Sequence, residues 1–296
     1  MNLNFLRTPD HCFDNLPGFD YPPNYLNLPG YGSLRAHYLD LGPENAEHCF
    51  LCLHGQPTWS YLYRKMIPGF LGVGGRVIAP DFFGFGRSDK PIDEDTYTFH
   101  FHRNYLCRLI ETLDLKGITL VCQDWGGLIG LTLPMAYPDR FDRMIVMNTT
   151  LGLGELPSQG FAEWKAFAAT QKDLNISRLM KRSTPILSKE EAKAYDQPFP
   201  DADHKAGVRQ FPELAMIQPT MEGTRTSIRA ASFLQREWNG PCFMAVGVKD
   251  PVLGLPVMQQ LRNTIRGASP LLEIPEGGHF LPEWGERITK EALDYF

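Results

Sequence analysis

The sequence predicts an α/β protein in which a mostly parallel sheet is covered by helices on both faces. Three observations carry this. Continuous apolar runs of strand length recur along the chain, as at 48–54, 117–122 and 241–247, and such runs read as strands buried on both sides. Longer stretches of helical character alternate with them, the pattern of strand–helix–strand units. The strand at 117–122 also turns into a helix across Gln123-Asp124-Trp125-Gly126-Gly127, and so abrupt a turn strains the backbone and leaves its central side chain, Asp124, exposed. Asp and Gly also favour ordinary turns, so the rest of the chain must support this reading.

A chain of 296 residues holds one large domain, or a domain with an insert. The net charge of −5 and the lack of a basic run argue against nucleic acid and anionic membranes as partners. No apolar window reaches membrane length, and Met1–Gly18 lacks the apolar core of a secretory signal, so a cytoplasmic protein is expected. Of six cysteines, those at 49, 52, 122 and 242 sit in apolar strand-like segments and read as small core residues. Cys49 and Cys52 form a CxxC pattern, but on a strand they point to opposite faces, which weakens a redox or zinc reading. Cys12, in a polar stretch, is expected to be the exposed thiol, and is the candidate link between two chains of a homodimer.

Residues 1–30, rich in Pro, Asn and Tyr, read as an ordered lead-in without regular structure. Leu34–Asp40 alternates and is expected to be an antiparallel strand near a sheet edge. The strand 48–54 ends at Gly55 and is followed by the loop 56–60 and a helix over 61–71. Arg76–Pro80 is the next strand and leads into the glycine-punctuated loop Asp81–Asp89. A helix over 99–113 precedes the elbow strand, and a helix is expected from Leu128. Strands at 143–148, 241–247 and 271–274 and a helix over 284–296 complete the chain. Between Thr150 and Pro219 strand patterns vanish, and helical segments at 160–170, 176–182 and 189–195 are separated by prolines. The expected division is a core domain of 1–149 and 220–296 with a helical cap of 150–219. Ligands of open α/β sheets bind beyond the carboxyl ends of the strands, where such a cap would exclude water.

Three strand ends offer reactive groups: Asp124, then Asp250, then His279. Nucleophile, acid, histidine is the chain order of the α/β-hydrolase triad. His279 lies in a glycine-flanked loop that lets its side chain reach inward, although a solvated loop histidine fits the same pattern. Asp250 also fits a turn before Pro251, but a carboxylate is needed to orient the imidazole. The rival position, after the preceding strand, holds Asn148, which cannot stabilise imidazolium in the same way. A carboxylate nucleophile displaces a leaving group from saturated carbon and becomes an ester, which a histidine-activated water then hydrolyses. The backbone N–H groups of Trp125 and Gln56 are the candidate oxyanion donors. A halide leaving group needs N–H donors in an apolar pocket, and indole Nε1–H is such a donor. Trp125 is placed for this, and the cap supplies Trp164, whose spacing equally fits packing against Phe161 and Phe167. Phe161 and Leu128 are candidate pocket walls, whereas Phe167, Met180 and Met216 read as core.

The segments His54–Arg64, Asp81–Lys90 and Gln123–Gly127 together resemble haloalkane dehalogenases of the α/β-hydrolase superfamily. The likeness runs from about residue 5 to the C-terminus, including cap residues 161–164, 180–182 and 195–200. It implies an eight-stranded, mostly parallel sheet, Asp124 as nucleophile, Asp250 as acid, His279 as base, and Trp125 and Trp164 as halide ligands. It matches the subfamily of the 1,2-dichloroethane-degrading enzyme, whose acid follows the later strand. Gln56 stands where one such enzyme has Glu and other dehalogenases have Asn, so its amide is a candidate further halide donor. The implied partners are a small haloalkane and a halide ion; no metal or organic cofactor is implied. An epoxide hydrolase would share Asp124 and His279, but needs acidic donors, typically a pair of cap tyrosines, and the cap holds Tyr195 alone. A fluoroacetate dehalogenase needs cations beside the nucleophile, where Trp125 stands. Asp124 excludes a serine esterase, and a non-catalytic binding protein would not need the three groups intact.

Overall fold

The apolar runs become the inner strands of one sheet because their side chains are apolar on both faces. The computed structural model describes residues 3–296, and the first two positions of the expected lead-in lie outside the described residues. In chain order the elements are β1 (Phe5–Leu6), β2 (Asn24–Asn27), β3 (Arg35–Leu41), β4 (Cys49–Leu53), α1 (Ile67–Gly72), β5 (Arg76–Pro80), β6 (Lys90–Pro91), α2 (Phe99–Thr112), β7 (Ile118–Gln123), α3 (Trp125–Gly130) and β8 (Phe141–Met147). Five helices follow before the next strand: α4 (Gln159–Ala169), α5 (Ile176–Ser183), α6 (Lys189–Ala194), α7 (Ala206–Leu214) and α8 (Thr224–Arg236). The chain ends with β9 (Cys242–Gly247), α9 (Leu255–Thr264), β10 (Ala268–Ile274) and α10 (Gly285–Tyr295).

The main sheet has eight strands in the order β10-β9-β8-β7-β4-β5-β3-β2. All neighbours are parallel except β3, which is antiparallel to both β2 and β5. β4, β5, β7 and β9 are buried along their whole length, whereas the outermost strands β10 and β2 are only partly so. The chain leaves β4 for β5 on one side and later returns to β7 on the other. The order therefore reverses between β4 and β7, which makes their carboxyl ends the topological switch point where ligands bind. Pairing of Leu53 with Cys122 sets the residues after β4 beside Asp124.

Several expectations need correction. The lead-in is not irregular: β1 pairs with β6, a 3-10 turn spans Asp10–Phe13, and β2 adds to the sheet edge. Asn24–Asn27 has little intrinsic strand preference, and the open edge of β3 supplies the hydrogen bonds that order it. The single helix expected over 61–71 is a 3-10 turn (Ser60–Tyr63) followed by the short α1. Pro68 lies in the first turn of α1, where its missing N–H costs nothing, and it starts a helix there instead of continuing one. The helix after the elbow begins at Trp125, not Leu128. Helices α7, α8 and α9 were not expected; Pro212 interrupts the pattern of α7, whereas Gly223 caps the start of α8 and Pro256 lies in the first turn of α9. Cys12 is half-buried against the core, as is Cys107, and is not an exposed thiol. The other four cysteines are buried as expected. No helix among the described residues is long and apolar enough to cross a membrane.

The helices inserted between β8 and β9 are tied to the sheet by a buried ionic cluster. Arg64 forks onto Glu283 at 2.6 and 2.9 Å and reaches Glu191 of α6 at 2.7 Å. Tyr195, just after α6, donates its hydroxyl to Glu283, and Lys65 lies 3.0 Å from the same carboxylate. Arg64 and Glu283 are 4% and 2% exposed, so neither charge has water to fall back on. Breaking a buried pair by removing one partner is strongly unfavourable. Arg64→Met is therefore expected to lower the unfolding free energy by about 3–5 kcal/mol in chemical denaturation. A loss below about 1 kcal/mol, as for a surface pair, would mean that Lys65 alone neutralises Glu283.

Candidate active site

The site begins with a backbone constraint. Asp124 has φ 52° and ψ −124°, a left-handed conformation that lets β7 turn directly into α3. Such a residue costs on the order of 1–3 kcal/mol and persists only where its surroundings enforce it. Close packing enforces it here. A Cβ on Gly126 would lie 1.9 Å from the Leu53 carbonyl oxygen, and one on Gly55 would lie 2.4 Å from Cβ of Asp124. The Asp124 backbone is further held by its N–H donating to Asn148 O at 3.0 Å and by the Thr149 hydroxyl donating to Asp124 O at 2.7 Å.

The structure brings the three predicted groups together. His279 Nε2 lies 3.5 Å from Asp124 Oδ2, and His279 Nδ1 lies 2.8 Å from Asp250 Oδ2. Asn148, the position weighed as a rival acid, instead donates its amide to Asp250 Oδ2 at 2.8 Å, while Val252 N–H donates to Asp250 Oδ1 at 2.8 Å. Burial alone would raise the Asp250 carboxyl, but the facing imidazole and these donors hold it below its ordinary value. Burial likewise opposes the His279 imidazolium, yet the Asp250 and Asp124 carboxylates outweigh it and raise the group to about 10. The resting imidazole is therefore a cation held between two carboxylates. Gln123, at the end of β7 and not singled out in the sequence, donates Nε2 to His279 O at 3.0 Å and braces the histidine loop from the strand that leads into Asp124.

The two backbone N–H groups that are candidate oxyanion donors both lie at Asp124. Gln56 N–H donates to Asp124 Oδ1 at 2.8 Å. Trp125 N–H opens α3, and a first-turn N–H has no intrahelical acceptor. A cavity of about 560 Å³ is lined by Asp124, Gln56, His279, Trp125, Trp164 and Phe161 among others. Leu128 lines a second cavity of about 300 Å³, which shares Asp124, Trp125 and Phe161 with the first. Trp59 uses its indole N–H on Ala194 O. Trp125 and Trp164 instead present their rings to the large cavity. Met180 and Met216 are buried as expected, but Phe167 is 38% exposed and lines the large cavity instead of the core. It sits one turn from Trp164 in α4, with the Arg182 guanidinium of α5 5.8 Å from its ring centroid. Phe211, not singled out from the sequence, packs edge-on against Trp125 with ring centroids 4.9 Å apart. The Gln56 side chain is directed at the insert, where Nε2 donates to Val208 O at 2.9 Å, so one of its amide hydrogens is committed there.

A strained residue between strand and helix, followed by an acid and a histidine after later strands, has the order of the α/β-hydrolase triad. Residues 49–286 match the family model described as alpha/beta hydrolase fold. Over its full length the chain is also 42% identical to a haloalkane dehalogenase of Psychrobacter cryohalolentis, covering 99% of this chain and 98% of that one. The solved haloalkane dehalogenase DpaA of Paraglaciecola agarilytica NO2 is 49% identical, with a TM-score of 0.98 and 99% of each chain covered. The solved dehalogenase DbeA of Bradyrhizobium elkani is 24% identical and shares the fold, with a TM-score of 0.79 over 93% of this chain and 97% of that one. The chain belongs to the haloalkane dehalogenases, hydrolases that act on carbon–halide bonds.

Two measurements test the site. Trp164→Phe removes one indole donor and is expected to weaken bromide binding by about 1.5–3 kcal/mol, the worth of a hydrogen bond to a charged group; unchanged affinity would return Trp164 to a packing role. Asp124→Ala removes one of the two carboxylates that raise His279, so its imidazole resonances should titrate at lower pH than in the parent protein. An unshifted or higher midpoint would show that Asp124 carries no charge beside the ring.

Proposed function

We propose that Asp124 is the nucleophile of hydrolytic dehalogenation and that the reaction passes through a covalent alkyl ester. The observation that carries this reading is the division of the Asp124 carboxylate. Oδ1 is held by the Gln56 N–H at 2.8 Å, while Oδ2 is free of backbone donors and faces His279. Oδ2 attacks the carbon bearing the halogen, a carbon–oxygen bond forms, and the carbon–halogen bond breaks with its electron pair on the halide. The Trp125 and Trp164 indole N–H groups receive the departing anion in an apolar cavity, where such donors act more strongly than in water.

Ester formation removes the negative charge of Asp124. The imidazolium then loses one of its two stabilising carboxylates, its pKa falls toward the range useful for a base, and Nε2 releases its proton to solvent, which is the proton of the overall reaction. His279 Nε2 takes a proton from water, whose oxygen attacks the ester carbonyl carbon. The developing oxyanion on Oδ1 meets the Gln56 and Trp125 N–H groups. Collapse breaks the bond between the acyl carbon and the alkyl oxygen. The alcohol leaves with an oxygen that came from Asp124, and the water oxygen stays in the regenerated carboxylate. Haloalkane and water thus give alcohol, halide and a proton. Asp250, fixed by Asn148, orients the ring and balances its charge.

The reading treats 150–219 as a cap over a core of 1–149 and 220–296. Its support is that α4, α5 and α7 contribute Trp164, Leu179 and Pro212 to the same cavity as Asp124. It also takes the enzyme to be a cytoplasmic homo-oligomer. A homodimer is the smallest such assembly, and the P. agarilytica relative is described as tetrameric. The epoxide-hydrolase alternative loses ground because Tyr195 is fully buried and its hydroxyl is committed to Glu283.

Replacing His279 by Phe should stop the reaction after one turnover, with the alkyl group visible as added mass on the peptide containing Asp124. Asp124→Ala should abolish halide release from 1,2-dibromoethane and 1-bromobutane. Wild-type rates in the Ala variant, or styrene oxide turnover without bromide release in the parent, would overturn the assignment.

A further inference from the structure

The inserted helix α7 contains Pro212, and this leaves a gap in its hydrogen bonding. In an α-helix the N–H of residue 212 would donate to the carbonyl of residue 208, four positions earlier. Proline has no N–H. The Val208 carbonyl therefore loses its ordinary partner, and Val208 is only 2% exposed, so bulk water does not replace it. The group that does is Gln56 Nε2, at 2.9 Å, from a loop 152 residues away in sequence. The same residue holds Asp124 Oδ1 through its backbone N–H at 2.8 Å. Next to the gap, Phe211 of α7 packs edge-on against Trp125 at 4.9 Å, and Pro212 lines the large cavity.

We propose that Gln56 is a positioning residue that latches α7 onto the nucleophile loop through the carbonyl that Pro212 leaves unpaired, and thereby sets the halide site. One residue then fixes the oxyanion side of Asp124 with its backbone and the Phe211–Trp125 wall with its side chain. The latch explains why an amide suits this position: the task requires a donor, and a carboxylate facing a carbonyl would be repelled until protonated. It rests on Trp125 being a halide ligand.

The test is a double-mutant cycle read by bromide affinity, from quenching of tryptophan fluorescence, and by kcat/KM for 1-bromobutane. Gln56→Leu leaves a buried carbonyl without a donor and is expected to weaken bromide binding about tenfold. Pro212→Ala restores the helical N–H to Val208 O, so in that background the same Gln56→Leu change should cost less than about twofold, since coupled residues are non-additive. Gln56→Glu should bind bromide weakly at pH 8 and recover as the pH is lowered and its carboxyl becomes a donor. Should Gln56→Leu alone fail to fold while the double variant folds, the latch is supported by the same logic. Should neither fold, the Gln56→Glu profile decides. An equal penalty in both backgrounds, an unchanged affinity in Gln56→Leu, or a flat pH profile for Gln56→Glu overturns the proposal. Absence of bromide quenching in the parent protein would instead overturn the halide reading of Trp125 on which it stands.

Discussion

Everything at this site depends on the backbone of Asp124. Its positive φ is unfavourable for a side chain with a Cβ, and it is held because no alternative packing fits around it. Gly126 abuts the Leu53 carbonyl, Gly55 abuts Asp124 itself, and Asn148 O and Thr149 Oγ1 take up the peptide groups on either side. The residue that follows β7 is therefore thrust into the cavity. The parallel register with β4 on one side and β8 on the other then delivers Gln56 and Asn148 to fixed places around it. A loop alone would not hold a carboxylate within a few tenths of an ångström of its donors; two packed strands and a helix start do.

Given that placement, the electrostatics follow from three groups in line. Two carboxylates flank one imidazole, and the ring is held as a cation because the attraction of both outweighs its desolvation. Charge is the variable that the reaction changes. In the proposed reaction, esterification removes the negative charge of Asp124 and with it one of the two attractions that favour the charged ring. Asn148 takes part by staying neutral. A second carboxylate beside Asp250 would repel it, whereas the amide donates to Asp250 and accepts from Gly247 N–H at 2.8 Å.

The inserted helices add the apolar walls, and two of their attachments to the core differ in kind. One is ionic: the cluster of Arg64, Lys65, Glu191, Tyr195 and Glu283, remote from the cavity. The other is the neutral hydrogen bond from Gln56, which lines the cavity, to Val208. The first costs desolvation and specifies where the insert sits. The second comes from the residue whose N–H holds Asp124, and Phe211 of the same helix as Val208 packs edge-on against Trp125.

Local pattern was enough to recover the strands buried on both faces, the elbow, and the order of Asp124, Asp250 and His279, because each is written in contiguous residues. An apolar run needs no partner to be recognised, and a strand–Gly–helix junction constrains its own backbone. The edge strand β2, the proline-containing α7 and the open position of Phe167 were not legible, since their ordering comes from neighbours that the local sequence does not name. The same holds for the finer chemistry. Asn148 meets Asp250 across 102 residues, Gln123 meets His279 across 156, and Gln56 meets Val208 across 152. Hydrogen bonds of this range exist only once the sheet order and the seating of the insert are set. Residue types and their order thus specified which chemistry is available, and tertiary packing decided the surroundings of the His279 ring and the seating of the inserted helices beside Trp125.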